Sequence, residues 1–217
     1  MRASFFFSVS ASLLIGMGAL VSGCQSGRAP ALSRGSTASD SVQSAAASIA
    51  TARGQINLAL AALRNLTERP GDIPEQYKVV REQIAALDSS VAKIAAATET
   101  MRVKGDAYLA DWAKQISTIS DAELRNAAFA RRAEVATKLQ GLYQSYQRMR
   151  ADFAPFQAGL TDIRRVLGSD LSARGLESAR PFVTKATEAA EPLKVSLDEL
   201  ADEFRRAGMS LQPGGAG

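Results

Sequence analysis

The sequence contains no histidine and a single cysteine. Without histidine there is no Ser-His-Asp or Cys-His catalytic arrangement, no ordinary zinc site and no Glu-x-x-His pattern of a di-iron bundle. One thiol allows neither an internal disulfide nor a cysteine-based metal site. No stretch alternates with period two, so no sheet is expected. A phosphate-cradling glycine loop, a nucleophile elbow and a dinucleotide fingerprint are also missing, and neither a cofactor nor a metal is expected. Excess charge is small, with 26 Lys plus Arg against 22 Asp plus Glu. That balance implies no nucleic-acid partner, and basic spots such as Arg131-Arg132, Arg148, Arg150 and Arg164-Arg165 suit solvated helix faces.

What is present begins at the N-terminus, MRASFFFSVSASLLIGMGALVSGC. Arg2 is followed by an apolar stretch from Phe5 to Val21 and then by the small pair Ser22 and Gly23, the layout of a secretory signal peptide. Serines and glycines interrupt the stretch, which falls short of the roughly 20 apolar residues that span a bilayer. Leu20-Val21-Ser22-Gly23-Cys24 resembles the lipobox of bacterial lipoproteins. The resemblance implies cleavage between Gly23 and Cys24 and lipidation of the Cys24 thiol, so residues 1–23 are expected to be removed. Acyl chains hold a protein to a bilayer by ~0.8 kcal/mol per buried methylene. Gln25 stands where an aspartate favours inner-membrane retention in enterobacterial lipoproteins, and outer-membrane sorting is the expectation. Cleavage takes away only Arg2 among the charged residues, leaving 25 cations against 22 anions.

Residues 24–39, a polar and small-residue stretch, are expected to be a flexible tether. Asp40 opens a first helix in which Val42, Ile49, Ile56 and Leu63 recur every seven residues and Ala45, Ala52, Ala59 and Leu66 follow each by three. Pro70-Gly71-Asp72 ends it. A second helix, about Pro74 to Ile119, carries Tyr77, Val80, Ile84, Leu87, Val91, Ile94, Thr98, Met101, Gly105, Tyr108, Trp112, Gln115 and Ile119 in steps of three and four. Ser120-Asp121-Ala122-Glu123 is a capping box for a third, with its seam from Ala128 to Leu167 and Pro155 kinking it rather than ending it. A fourth carries Leu176 to Phe204, is made less straight by Pro181 and Pro192, and is stopped by Gly208. Residues 40–208 are therefore expected to be an all-α, up-down-up-down bundle of four antiparallel helices, and residues 209–217 a disordered tail.

The expected lengths are unequal, so the central pair should outreach the outer pair as a hairpin from Gly105 to Val135 that projects by roughly 20 Å. Tyr108 and Trp112 sit on its seam and are assigned to packing within it. Lys114, Arg125, Phe129 and Arg132 point outward near the tip and are the candidate partner-binding residues. Asp198, Glu199, Asp202 and Glu203 have the i, i+4 spacing of paired carboxylates, but with no partner cluster for a metal they read as a solvated face.

The stretch DWAKQISTISDAELRNAAFARR, together with FAPFQAGLTDIRRVLGSDLSARGLESA, resembles a family of bacterial envelope proteins classed only as a domain of unknown function. The features that carry the resemblance are Trp112, Ile116, Leu124-Arg125, Asp162, Val166-Leu167, Leu171, Ala173 and Leu176, in about the second half of the chain. A Lys-His-Asn run is common in that family where Gly168-Ser169-Asp170 stands here. The resemblance implies an exported, long-helical and often lipid-anchored protein, and no activity.

The expected function is thus non-enzymatic: a lipid-anchored, periplasm-facing bundle that spaces or scaffolds another envelope component. The alternative is a periplasmic adaptor or chaperone-like module that engages a protein through the hairpin. If Cys24 carries the lipid, Cys24→Ser abolishes acyl labelling and releases exported protein from the membrane fraction. Unchanged labelling and fractionation would refute the lipoprotein reading.

Overall fold

An apolar residue at every third or fourth position lines one side of a helix, and turns of a few residues leave successive helices antiparallel. The computed structural model describes residues 30–212, where the chain forms α1 (Pro30–Glu68), α2 (Ile73–Ile116), α3 (Ala122–Ser169) and α4 (Ala173–Leu211). No strand occurs among the described residues. Gly23, Cys24, the signal segment and residues 213–217 lie outside them. The four helices pack in a ring, α1 against α2 and α4, and α3 against the same two from the opposite corner. Contact is most extensive around α1 and least between α2 and α3.

The eight α1 seam residues read from the sequence are all buried, as are Val135, Leu142, Phe153, Leu160 and Leu167 on α3 and Leu176, Val183, Leu197 and Phe204 on α4. Asp72 caps α2, its carboxylate accepting from the Glu75 amide at 3.2 Å, and Pro74 stands in the first turn. The cap of α3 is Asp121 rather than Ser120, accepting from the Leu124 amide at 2.7 Å. Pro155, Pro181 and Pro192 all lie inside continuous helices.

Three expectations are corrected. The first helix begins at Pro30, not at Asp40, so much of the supposed tether is helical and Ala38 and Ser39 are wholly buried. Small residues hide such a segment from a reading based on large apolar spacing, because they make a seam only where the neighbour comes very close. The fourth helix passes through Gly208 and runs to Leu211. Gly208 answers close approach instead of helix termination: a Cβ there would lie 2.6 Å from Gln43 Nε2. Its carbonyl accepts from the buried Ser39 hydroxyl at 2.8 Å.

The third correction concerns the hairpin. Arg34 on α1 pairs with Asp111, and Gly35 lies against the Tyr108 ring, so the outer helices cover the central pair well past Gly105. Less than two turns of α2 remain beyond Asp111, and the four residues of α1 before Arg34 run alongside the first of them, so the overhang falls well short of 20 Å. Past Gly105 the buried stripe runs through Leu109 and Ile116, while Tyr108 and Trp112 are half-buried and Gln115 is exposed. A seven-residue repeat drifts by ~20° per heptad on a straight helix, so a seam carried through six heptads ends on the flank. The two rings still pack together, centroids 5.5 Å apart.

Leu87 is fully buried, and Thr98 is fully buried with a hydroxyl that finds no partner among the described residues. Leu87→Asp is expected to cost several kcal/mol, whereas Lys93→Asp, on the exposed face, changes little. Thr98→Val keeps the shape and removes the unpaired hydroxyl, and it is expected to raise stability by about 1 kcal/mol. Denaturant midpoints check all three; a midpoint for Thr98→Val below that of the parent would mean that the hydroxyl is satisfied.

Candidate functional site

The tip is the site that the sequence points to, and its four candidate residues divide. Arg125 donates from its guanidinium to the Ile119 carbonyl at 2.9 Å, and Arg132 donates to the Leu109 carbonyl at 2.8 Å. The Ile119 carbonyl lies just past the C-terminal end of α2, where backbone oxygens lack helical partners and a cation is favoured by the helix dipole, whereas the Leu109 carbonyl lies two turns inside the helix. Arg125 therefore staples the α2–α3 turn, and Arg132 ties α3 to the body of α2. Lys114 is 80 % exposed and reaches Asp111 only at 3.8 Å. Phe129 is 41 % exposed, and Leu124 on the same helix is more so. The tip thus offers one lysine and two separated apolar side chains.

The acidic residues of α4 do not converge. Asp198 pairs with Arg53 on α1 at 2.7 Å, Asp202 pairs with Arg205, and Glu203 accepts from the Ser145 hydroxyl at 3.4 Å. Among the described residues no three of His, Cys, Asp and Glu come together as metal ligands would.

A larger feature lies on the outside of α3 and α4, where the sequence reading placed nothing. Each proline inside a helix withholds one backbone donor and bends the helix locally. Pro155 on α3 and Pro192 on α4 line a groove of about 880 Å³ between the two helices. Gly159, Ala179, Ala186 and Ala189 form its floor and walls, with Phe156, Ile163 and Leu193 reaching up from the core. Phe182 and Val166 stand beside it, 62 % and 52 % exposed.

These residues form a second seam, pointing away from the bundle. On α3 it runs Pro155, Gly159, Asp162, Val166, and on α4 Phe182, Lys185, Ala189, Pro192, Ser196, again in steps of three and four. Three charged side chains sit in it: Asp152, Asp162 and Lys185. Asp162 is held by Arg165 at 2.8 Å, and neither Asp152 nor Lys185 makes an ion pair among the described residues. The sequence signal for this face was weak because its members are small, prolyl or charged. Its readable part was Phe182 and Val166, large apolar residues off the core stripe.

Among the described residues no helix is long and apolar enough to cross a membrane. A family model described as protein of unknown function (DUF2959) matches residues 34–207, nearly the whole of the four helices. No curated protein and no solved structure matches the chain.

Arg125→Ala and Arg132→Ala are each expected to cost about 1–2 kcal/mol and to speed amide exchange, around residues 117–121 for Arg125 and where α3 meets Leu109 for Arg132. Lys114→Ala leaves both unchanged. Parent-like exchange in the two arginine variants would show that the bonds carry no load.

Proposed function

The chain belongs to the DUF2959 family, whose description assigns no activity, and from that premise we propose that it is a non-enzymatic, lipid-anchored scaffold of the cell envelope that holds an amphipathic helix of a partner protein in the α3–α4 groove. The lipid on Cys24 fixes it to the outer membrane, and the bundle faces the periplasm. Docking on the groove is the adaptor alternative with its site moved from the hairpin to the bundle's flank. The observation that carries it is the external seam: bundle residues with core-like spacing, on a face where the bundle itself buries nothing.

The occupant follows from size and charge. From Asp152 to Val166 the groove is ~21 Å long, the length of a helix of about 14 residues. A second copy of this chain would need about 800 Å² on each side for a stable dimer, well beyond a strip one helix wide. Lys185, unpaired at mid-groove, calls for a carboxylate at the middle of the incoming helix, and Asp152 calls for a cation toward one end. Small residues along the floor let that helix come close, and Phe182 covers its flank.

A photo-crosslinker at Phe182 in intact cells is expected to capture one dominant protein through a helical segment with a central acid. Ala189→Arg, on the exposed floor, lowers that yield at least tenfold with an unchanged unfolding midpoint. Lys185→Glu does the same, and a lysine in place of the captured helix's acid restores the yield. Capture that survives Ala189→Arg, or that occurs from Phe129 and not from Phe182, would refute groove docking; no capture from either position would leave the bundle a spacer.

A further inference from the structure

α2 and α3 approach each other least of the neighbouring pairs, and a cavity of about 410 Å³ opens between them. It lies on the other side of α3 from the groove and is independent of it. Its floor draws on all four helices, with Ala52 of α1, Ile94 of α2, Phe153 of α3 and Leu197 of α4. Volume and an apolar lining of this kind suit a small ligand rather than a protein segment.

The polar groups are few and lie on one side. Tyr146 is only 4 % exposed and lines the cavity, and its hydroxyl makes no hydrogen bond among the described residues. Burial raises its pKa, against a smaller opposing effect of the nearby Arg150 charge, so the hydroxyl stays protonated and able to donate at neutral pH. Arg150 follows Tyr146 by four residues on the same face of α3, lines the same cavity, and has no ion-pair partner among the described residues. Gln157 donates to Asp88 across the opening at 2.6 Å and so closes one edge.

We infer that this cavity binds a small amphipathic carboxylate, such as a medium-chain fatty acid. Its hydrocarbon body lies among the four helices, and its carboxylate takes the Tyr146 hydroxyl and the Arg150 guanidinium. A planar guanidinium matches a carboxylate in two parallel hydrogen bonds, and a buried phenol adds a third donor that no protein acceptor competes for. An uncharged ligand would leave the guanidinium unmatched. A phosphoester headgroup presents the same anionic chemistry on a bulkier centre, and the experiment separates the two.

The test uses the full chain, titrated by calorimetry with decanoate, decanol and decyl phosphate below their aggregation concentrations, with 13C-labelled tyrosine followed by NMR. Decanoate is expected to bind saturably, one per chain, at least tenfold more tightly than decanol, and to shift the Tyr146 resonance. Tyr146→Phe, which keeps the ring and its packing, weakens decanoate about tenfold and leaves decanol unchanged. Arg150→Gln removes the preference of decanoate over decanol, whereas Arg148→Gln, an exposed neighbour, preserves it. Equal binding of decanoate and decanol, parent-like affinity in Tyr146→Phe, or tighter binding of decyl phosphate than of decanoate would each overturn the assignment.

Discussion

Close approach of α1 to both α2 and α4 is possible because its inner side is built largely from glycine, alanine and serine. Gly35, Ala38, Ser39, Ala45, Ala46, Ala52 and Ala59 are all buried. On α4, Gly208 removes the one side chain that would strike Gln43, and the backbone itself receives a hydrogen bond from Ser39. Large residues answer from the opposite corner. Leu139, Leu142, Tyr146, Met149, Phe153 and Phe156 fill the space that α1 leaves, and they hold α3 away from α2 and α4. The bundle therefore has a tight corner and a loose one, and both of its candidate binding features flank the loose corner.

The turn end away from the tip is fixed by side chains that bond backbone carbonyls. Tyr77 donates to the Arg164 carbonyl at 3.0 Å, and Arg180 donates to the Thr67 carbonyl at 2.9 Å, tying α2 to α3 and α4 to α1. A Cβ on Gly175 would run into the Asp170 backbone, so the last turn can fold directly over the start of α4. The tip end repeats the device with Arg125 and Arg132. At Thr67 and Ile119 the donor reaches a carbonyl at or past a helix end, and at Arg164 and Leu109 it adds a second bond to a carbonyl inside a helix, which is why residues outside the apolar stripes still matter to the fold.

Much of this was legible in spacing alone. Four helices, their antiparallel order and most core positions follow from apolar residues at steps of three and four, and Pro155 was read correctly as interior. Spacing does not report how near two helices come, because that depends on side-chain volumes meeting across the gap. Residues 30–39 looked like tether for that reason, since serine and alanine form a seam only against a close neighbour. Gly208 looked like a stop, and the same cause explains the error. The groove and the cavity escaped notice because they arise from a difference in spacing between pairs of helices. Arg125 and Arg132 were placed near the tip, but their carbonyl acceptors, Ile119 in the turn and Leu109 on α2, depend on how the two helices meet. Cys24 lies outside the described residues.

Both ends of the described chain emerge at the same pole, since α1 starts and α4 finishes beside the tip. A tension transmitted through the N-terminal end of α1 and resisted on the flank of α3 and α4 therefore runs along the helix axes. It slides α1 past α4 instead of peeling them apart, so every interlocked layer from Ser39 and Gly208 to Thr67 and Arg180 shares the load at once. Peeling would break the layers one after another. Mechanically, the arrangement is a lap joint, strongest along the helix axes.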